Sequence, residues 1–154
     1  MKTVEVSTYL DAEPAVVFEH AKRPALLQFV SRGFLRFKPL EPTAFPEVWA
    51  PGAYRVAMHW KGFLPLGWQV IGIEIPPVDG ETYRLRDNGH GPNVAVWDHM
   101  VEISPEGRGA RYVDRLRLDA GAMTPATALF ARRFYTHRQK RWRLLVSRNF
   151  DYGS

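Results

Sequence analysis

Cysteine is absent from the sequence. Structural disulfides, thiolate nucleophiles and cysteine-based zinc sites are therefore excluded. The chain also lacks any run approaching the roughly 20 apolar residues that cross a bilayer as a helix. Its opening stretch, MKTVEVSTYLDAEPAVV, alternates and carries acids, so it has no apolar secretory segment. These absences predict a soluble, cytoplasmic protein. No HExxH pattern occurs, and histidines 59, 90 and 99 stand apart without ligand spacing. No metal and no cofactor are expected. DNGHGPN lacks the lysine and hydroxyl residue of a phosphate loop, and no helix comes after it. It reads as a turn-bearing connector.

The chain does carry a modest basic excess. Lys and Arg number 21 against 16 Asp and Glu, a formal net charge of +5. That balance permits nucleic acid or an anionic membrane as partner, but the placement of the charges matters more than their total. The length of 154 residues suits one domain. No repeat, low-complexity segment or long linker divides it.

Residues 3 to 10 alternate, with Val4, Val6 and Thr8 on one side, and read as a strand. Pro14 suits a first helical turn, and Pro24 breaks the helical run that begins there. Two short helices are therefore predicted, the second over 24–30. Strands are predicted at 33–39, 54–60, 68–75, 82–87, 94–103 and 110–119. Pro42, Pro46 and Pro51 mark 40–52 as a loop. KGFLPLG, PPVDGE, DNGHGPN and SPEGRG read as turns. From Thr124, which reads as a cap, the apolar period changes to three or four. Phe130, Phe134, His137, Arg141, Leu145 and Asn149 form the expected stripe, widened by Ala126, Leu129, Trp142 and Val146. One long helix ending near Asn149 would run on the order of 35 Å, enough to cross a sheet.

The order of strand, two short helices, a strand meander and one long helix resembles the START-like, or Bet v 1-like, superfamily, which includes polyketide cyclase and dehydrase-like proteins. VEVSTYLDAEPAVVFEHA, the pair WDH…YVDRL and FARRFYTHRQKRWRLL carry the resemblance. It implies an α+β helix-grip fold. An antiparallel sheet wraps a long C-terminal helix around an internal cavity for a small hydrophobic or amphipathic molecule. Members include carriers, sensors and cyclases, so the resemblance implies no single reaction and carries over no catalytic residue.

The two strands around SPEGRG place a histidine and an aspartate on the apolar side. If Ile103 faces Ala110, then Val101 faces Tyr112, His99 faces Asp114 and Trp97 faces Leu116. The other side holds Asp98, Glu102, Arg111, Arg115 and Arg117, which belong in water. An imidazole held by an acid can serve as an oriented base or grip a polar ligand group. Equally, a buried aspartate must be paired, and histidine is a convenient structural partner. No serine or cysteine fixed nearby supports a nucleophilic triad.

Tyr83, Trp97 and Tyr112 are aromatics with polar handles on predicted inward faces, able to line a cavity or simply to pack. Phe134 and His137 lie on the helix stripe and complete, with His99 and Asp114, the set of candidate cavity residues. The helix also carries Arg132, Arg133, Arg138, Lys140, Arg141, Arg143 and Arg148 with no acid between them. That row reads as a solvated face. The alternative function is a protein- or anionic-membrane-interacting module built on it. Nucleic acid is not the expected partner, because the helix aromatics fall on the packing side.

Overall fold

The alternating segments pair into one seven-stranded antiparallel sheet in a computed structural model that describes residues 1–153. Strand β1 (Lys2–Leu10) leads into helices α1 (Pro14–Ala21) and α2 (Pro24–Ser31). The meander is then β2 (Leu35–Glu41), β3 (Gly52–Trp60), β4 (Leu64–Glu74), β5 (Tyr83–Gly91), β6 (Val94–Glu106) and β7 (Gly109–Asp119). A short 3-10 turn at Gly121–Met123 precedes helix α3 (Thr124–Ser147). Spatial order is β1-β7-β6-β5-β4-β3-β2, so α1 and α2 carry the chain from one sheet edge to the other. The sheet wraps α3, which gives the helix-grip, α+β architecture.

Both short helices start on proline, where a missing N–H costs nothing. Arg23, just before Pro24, is extended at φ −103° and ψ 127°, and this separates the two helices. Helix α3 buries Ala128, Ala131, Tyr135, Arg138, Trp142 and Leu145 along one line. Their steps alternate between three and four, the spacing of a narrow helix seam. The expected stripe meets the core at Phe134, Trp142 and Leu145 but not along its other edge. Leu129 is 54 % exposed and Ala126 is also outside. The helix stops at Ser147, short of Asn149, which sits at a left-handed φ of 53°. Thr124 is the first helical residue and not a cap. Its hydroxyl donates to the Gly121 carbonyl at 2.8 Å and accepts the Ala120 N–H at 2.9 Å, fixing the preceding turn.

Several strand ends differ from expectation for one reason: glycine and proline here often sit within strands. DNGHGPN is mostly strand, with β5 continuing to Gly91. A Cβ on Gly89 would lie 2.7 Å from the Val70 carbonyl oxygen. That glycine serves close strand approach, not a turn. In KGFLPLG the turn is over by Phe63, and β4 already begins at Leu64. The second strand runs over Leu35–Glu41 rather than 33–39.

The hairpin of β6 and β7 has the largest consequence. Its strands run through Ser104 and Pro105 to Glu106, which pairs with Gly109. The turn is only Gly107-Arg108, with Gly107 at a left-handed φ of 56°. The expected pairing is therefore displaced by two residues. Val101 faces Asp114, Ile103 faces Tyr112, His99 faces Leu116 and Trp97 faces Leu118. A shift of two preserves the face of every side chain. The inward side buries Trp97, His99, Val101, Tyr112 and Asp114. The outward side carries ion pairs, Arg86 with Asp98 at 2.9 Å and Arg115 with Glu5 at 3.2 Å and with Glu102.

Candidate functional site

Between the sheet and α3 lies a cavity of about 170 Å³. Its walls are apolar: Val56 from β3, Ile71 and Ile73 from β4, Leu85 from β5, Val101 from β6 and Phe134 from α3. Leu66, Val94, Thr127 and Phe130 also contribute, at the end where β4, β6 and α3 begin. Into this apolar space project Asp87, His99, Tyr112, Tyr135 and Arg138. A few converging polar groups on an apolar wall are the usual composition of a small-molecule site.

His99 and Asp114 meet although they do not face each other. They are diagonal neighbours across β6 and β7, and a long side chain spans that separation. His99 Nε2 lies 2.7 Å from Asp114 Oδ1. Burial pushes the His99 imidazole below its ordinary range, against the pull of the Asp114 carboxylate. Burial alone would raise Asp114, but the bonds from His99 and Gln139 and the charge of Arg138 outweigh it and hold the carboxyl below the usual range. The pair is thus a neutral imidazole and an ionised carboxylate. A carboxylate only accepts, so Nε2–H donates to Oδ1 and the Nδ1 lone pair is left as an acceptor. Tyr135 packs on the same ring, with centroids 4.5 Å apart.

Asp114 itself stands behind His99, outside the cavity lining. Its Oδ2 accepts from Gln139 Nε2 at 2.9 Å, and the same amide nitrogen donates to the Val6 carbonyl at 2.7 Å. The aspartate therefore ties β6, β7, β1 and α3 together while orienting His99.

Of the other expected residues, Trp97, Tyr112 and Phe134 line the cavity. Tyr83 does not. It stacks on Phe18 of α1 with centroids 4.8 Å apart. His137 does not either. Its Nε2–H donates to the Arg32 carbonyl at 2.7 Å, and its ring packs near Phe34. Tyr83 is displaced because β5 begins under α1, and His137 because it lies at the α2 side of the line whose Phe130 and Phe134 reach the cavity.

Besides Tyr135, two charged cavity groups escape the sequence reading. Asp87 lies two residues beyond Leu85, on the same inward side, at the place where β4 and β5 cease to pair between Val70–His90 and Ile73–Asp87. There the Gly72 N–H lacks a ladder partner, and Asp87 Oδ1 accepts it at 2.9 Å. Asp87 is half-buried and lines the cavity. Burial pushes its pKa up to about 7, opposed by the Gly72 bond and the charge of Arg138.

Arg138 is the second and the larger correction, because it belongs to the row expected in water. It is 8 % exposed, and its guanidinium lies 5.3 Å and 5.6 Å from the ring centroids of Tyr135 and Phe134. Its Nε–H has no hydrogen-bond partner, and it forms no ion pair among the described residues. Burial works against its charge. Its pKa is nevertheless raised, and at ordinary pH the negative charge near it comes from the Asp114 and Asp87 carboxyls, which keep it cationic. The signal is its position, three residues after Tyr135 and four before Trp142, on the buried line itself. The remaining basic row is divided. Arg141 is half-buried and donates to the Phe29 carbonyl at 3.1 Å, while Arg132, Arg133, Lys140, Arg143 and Arg148 are exposed, Arg143 donating to Thr8 Oγ1 at 2.9 Å and Arg132 to the Glu5 carbonyl at 3.4 Å.

No protein-family model and no curated protein sequence matches the chain. Solved structures do match it in fold. TTHA0849 from Thermus thermophilus is 14 % identical with a TM-score of 0.69, over 97 % of this chain and 100 % of that one. CV1439 from Chromobacterium violaceum is 19 % identical with a TM-score of 0.65, over 94 % and 96 %. A START superfamily protein from Mycobacterium smegmatis is 11 % identical with a TM-score of 0.65, over 96 % and 98 %. The chain shares with them the helix-grip fold over nearly its whole length.

Proposed function

We propose that the protein binds a small amphipathic molecule in the cavity between the sheet and α3. The observation that carries this is the convergence of Asp87, His99, Tyr112, Tyr135 and Arg138 on one apolar space. A core packed for stability alone would place methyl groups there, since each buried polar group without a partner costs about 1–3 kcal/mol. Size bounds the ligand. An apolar cavity of about 150 Å³ takes benzene, so the 170 Å³ here suits a body of one or two rings.

2-Naphthol tests this, as a neutral two-ring body with one oxygen. It should bind saturably, one per chain, and quench the emission of Trp97, which lines the cavity. Val101→Phe places a ring into the same space and should weaken binding by about tenfold or more, the effect of roughly 1.4 kcal/mol. Equal affinity of the native and Val101→Phe proteins, both folded, would place naphthol elsewhere and remove the reading.

A second reading has its own support. Burial pushes the Asp87 pKa up to about 7, and its carboxyl borders the same cavity as a neutral imidazole. Groups with such properties carry out proton transfer beside a carbonyl. In this reading the Asp87 carboxylate takes a proton from carbon while a tyrosine hydroxyl or Arg138 stabilises the enolate oxygen. In deuterium oxide, 2-tetralone should exchange its C1 protons faster with the protein than with Asp87→Asn. Exchange at the same rate with both leaves binding as the sole function.

A further inference from the structure

The cavity holds a cation with no carboxylate in direct contact among the described residues. Arg138 is buried to 8 % exposure, reaches the cavity from α3, and has an Nε–H with no partner. Every charged or titratable group around it has a different engagement. Asp114 from β7 receives His99 and Gln139. Asp87 from β5 receives the Gly72 N–H. Tyr112 and Tyr135 remain protonated phenols, their pKa values pushed up by burial. His99 is neutral. Among the described residues the guanidinium therefore has no carboxylate in contact, and its Nε–H has no partner. That is an unusual state for a buried arginine, because desolvating a charge without a direct counter-ion is costly.

We infer that the ligand of this cavity is a carboxylic acid with a one- or two-ring or similarly compact apolar body, its carboxylate seated on Arg138. This rests on the reading of the cavity as a ligand site and adds the chemical class of the ligand. The planar guanidinium presents paired N–H groups at the spacing of two carboxylate oxygens, and such charge-assisted, bidentate bonds are stronger than neutral ones. Phe134 and Tyr135, whose rings already flank the guanidinium, fix its plane. The apolar walls of Ile71, Leu85 and Val101 receive the body of the acid. A neutral alcohol of the same body would accept one bond and leave the charge uncompensated.

The test compares 2-naphthoate with 2-naphthol at pH 6, where the first is an anion and the second is neutral. A carboxylate gives up far more hydration than a phenol on burial. A preference for naphthoate therefore demands a matched charge inside. Native protein should bind naphthoate about tenfold or more tightly than naphthol, the range of a charge-assisted bond. Arg138→Met should remove that preference, bringing the ratio of naphthoate to naphthol affinity down to about one or below, since the buried counter-charge is gone. Arg138→Lys, which keeps the charge and loses the fork, should retain part of the preference and covers the case in which Arg138→Met fails to fold. Naphthol binding with no preference for naphthoate, or a preference that survives Arg138→Met, overturns the carboxylate assignment and leaves the ligand site standing. Binding of neither compound removes both.

Discussion

Asp87 illustrates how a single residue joins backbone repair to site chemistry. Its carboxyl accepts the N–H that the interrupted β4–β5 ladder leaves at Gly72, and its pKa is pushed up to about 7 by burial. The groups around it are Gly72 from β4, Arg138 from α3 and His99, its cross-strand partner on β6, while Asp98 acts on it from the opposite face of the sheet. The folded protein thus holds this proton more tightly than the unfolded chain, where aspartate titrates near its ordinary value of about 3.9. Its contribution to stability is fully present below that value and is lost as pH rises through about 7. Asn cannot titrate but can still accept from Gly72. Asp87→Asn should therefore match the native protein near pH 4 and exceed it above pH 7, by on the order of 2–4 kcal/mol. His99, whose pKa is lowered, acts in the opposite sense below its ordinary value, but it is common to both proteins and cancels in the difference. Denaturant melts from pH 4 to 8 would measure this, and a difference that does not change with pH would rule it out. In the sequence, Asp87 is a strand end before a glycine-rich connector. Nothing in the one-dimensional pattern shows that β4 and β5 part just there. His99, by contrast, is legible, because alternation places it beside Trp97 and Val101 whatever the register.

At the scale of elements, patterns of period two are more secure than the period of the helix. The inward faces of β6 and β7 survive a hairpin error of two residues, because strand faces repeat every two. A helix has no such protection. A rotation of one position, about 100°, moves a residue from water to core. That is why Arg138 is expected outward and Leu129 inward from the pattern alone. The far end of α3 leaves no such ambiguity, because Trp142 and Leu145 are fully buried. The structure separates two leucines of α3 that periodicity groups together. Leu145→Ala should destabilise the fold by about 2–5 kcal/mol, as a buried truncation does. Leu129→Ala should change it by no more than about 0.5 kcal/mol. Comparable losses in chemical denaturation would mean that α3 is rotated from the orientation described, and that Arg138 is not in the cavity.

For the whole molecule, the site sets stability against binding. A buried guanidinium without a direct counter-ion and a cavity in the core both raise the free energy of the folded state relative to a core packed with aliphatic side chains. The cross-links that Gln139 and Asp114 make among β1, β6, β7 and α3 hold the fold around that site. Replacing buried ionic groups by hydrophobic ones of similar volume is often neutral or stabilising, whereas removing one member of a contacting pair is destabilising, and Arg138 has no carboxylate in contact. Arg138→Met should therefore melt at or above the native temperature in the absence of ligand. A ligand that binds the folded state at a hundred times its Kd adds about 2.7 kcal/mol. For a chain of this size each kcal/mol moves Tm by about 2–4 °C. Native protein with 2-naphthoate at that excess should thus melt roughly 5–10 °C higher. Arg138→Met at the same naphthoate concentration should gain only a small part of that shift. A lower melting temperature for ligand-free Arg138→Met would show that Arg138 holds the fold together through Asp87 and Asp114, and would make the arginine a structural cation. A native protein that gains nothing from saturating naphthoate would show that the acid does not bind the folded state. The two scans together therefore separate an arginine retained for a ligand from one retained for the fold.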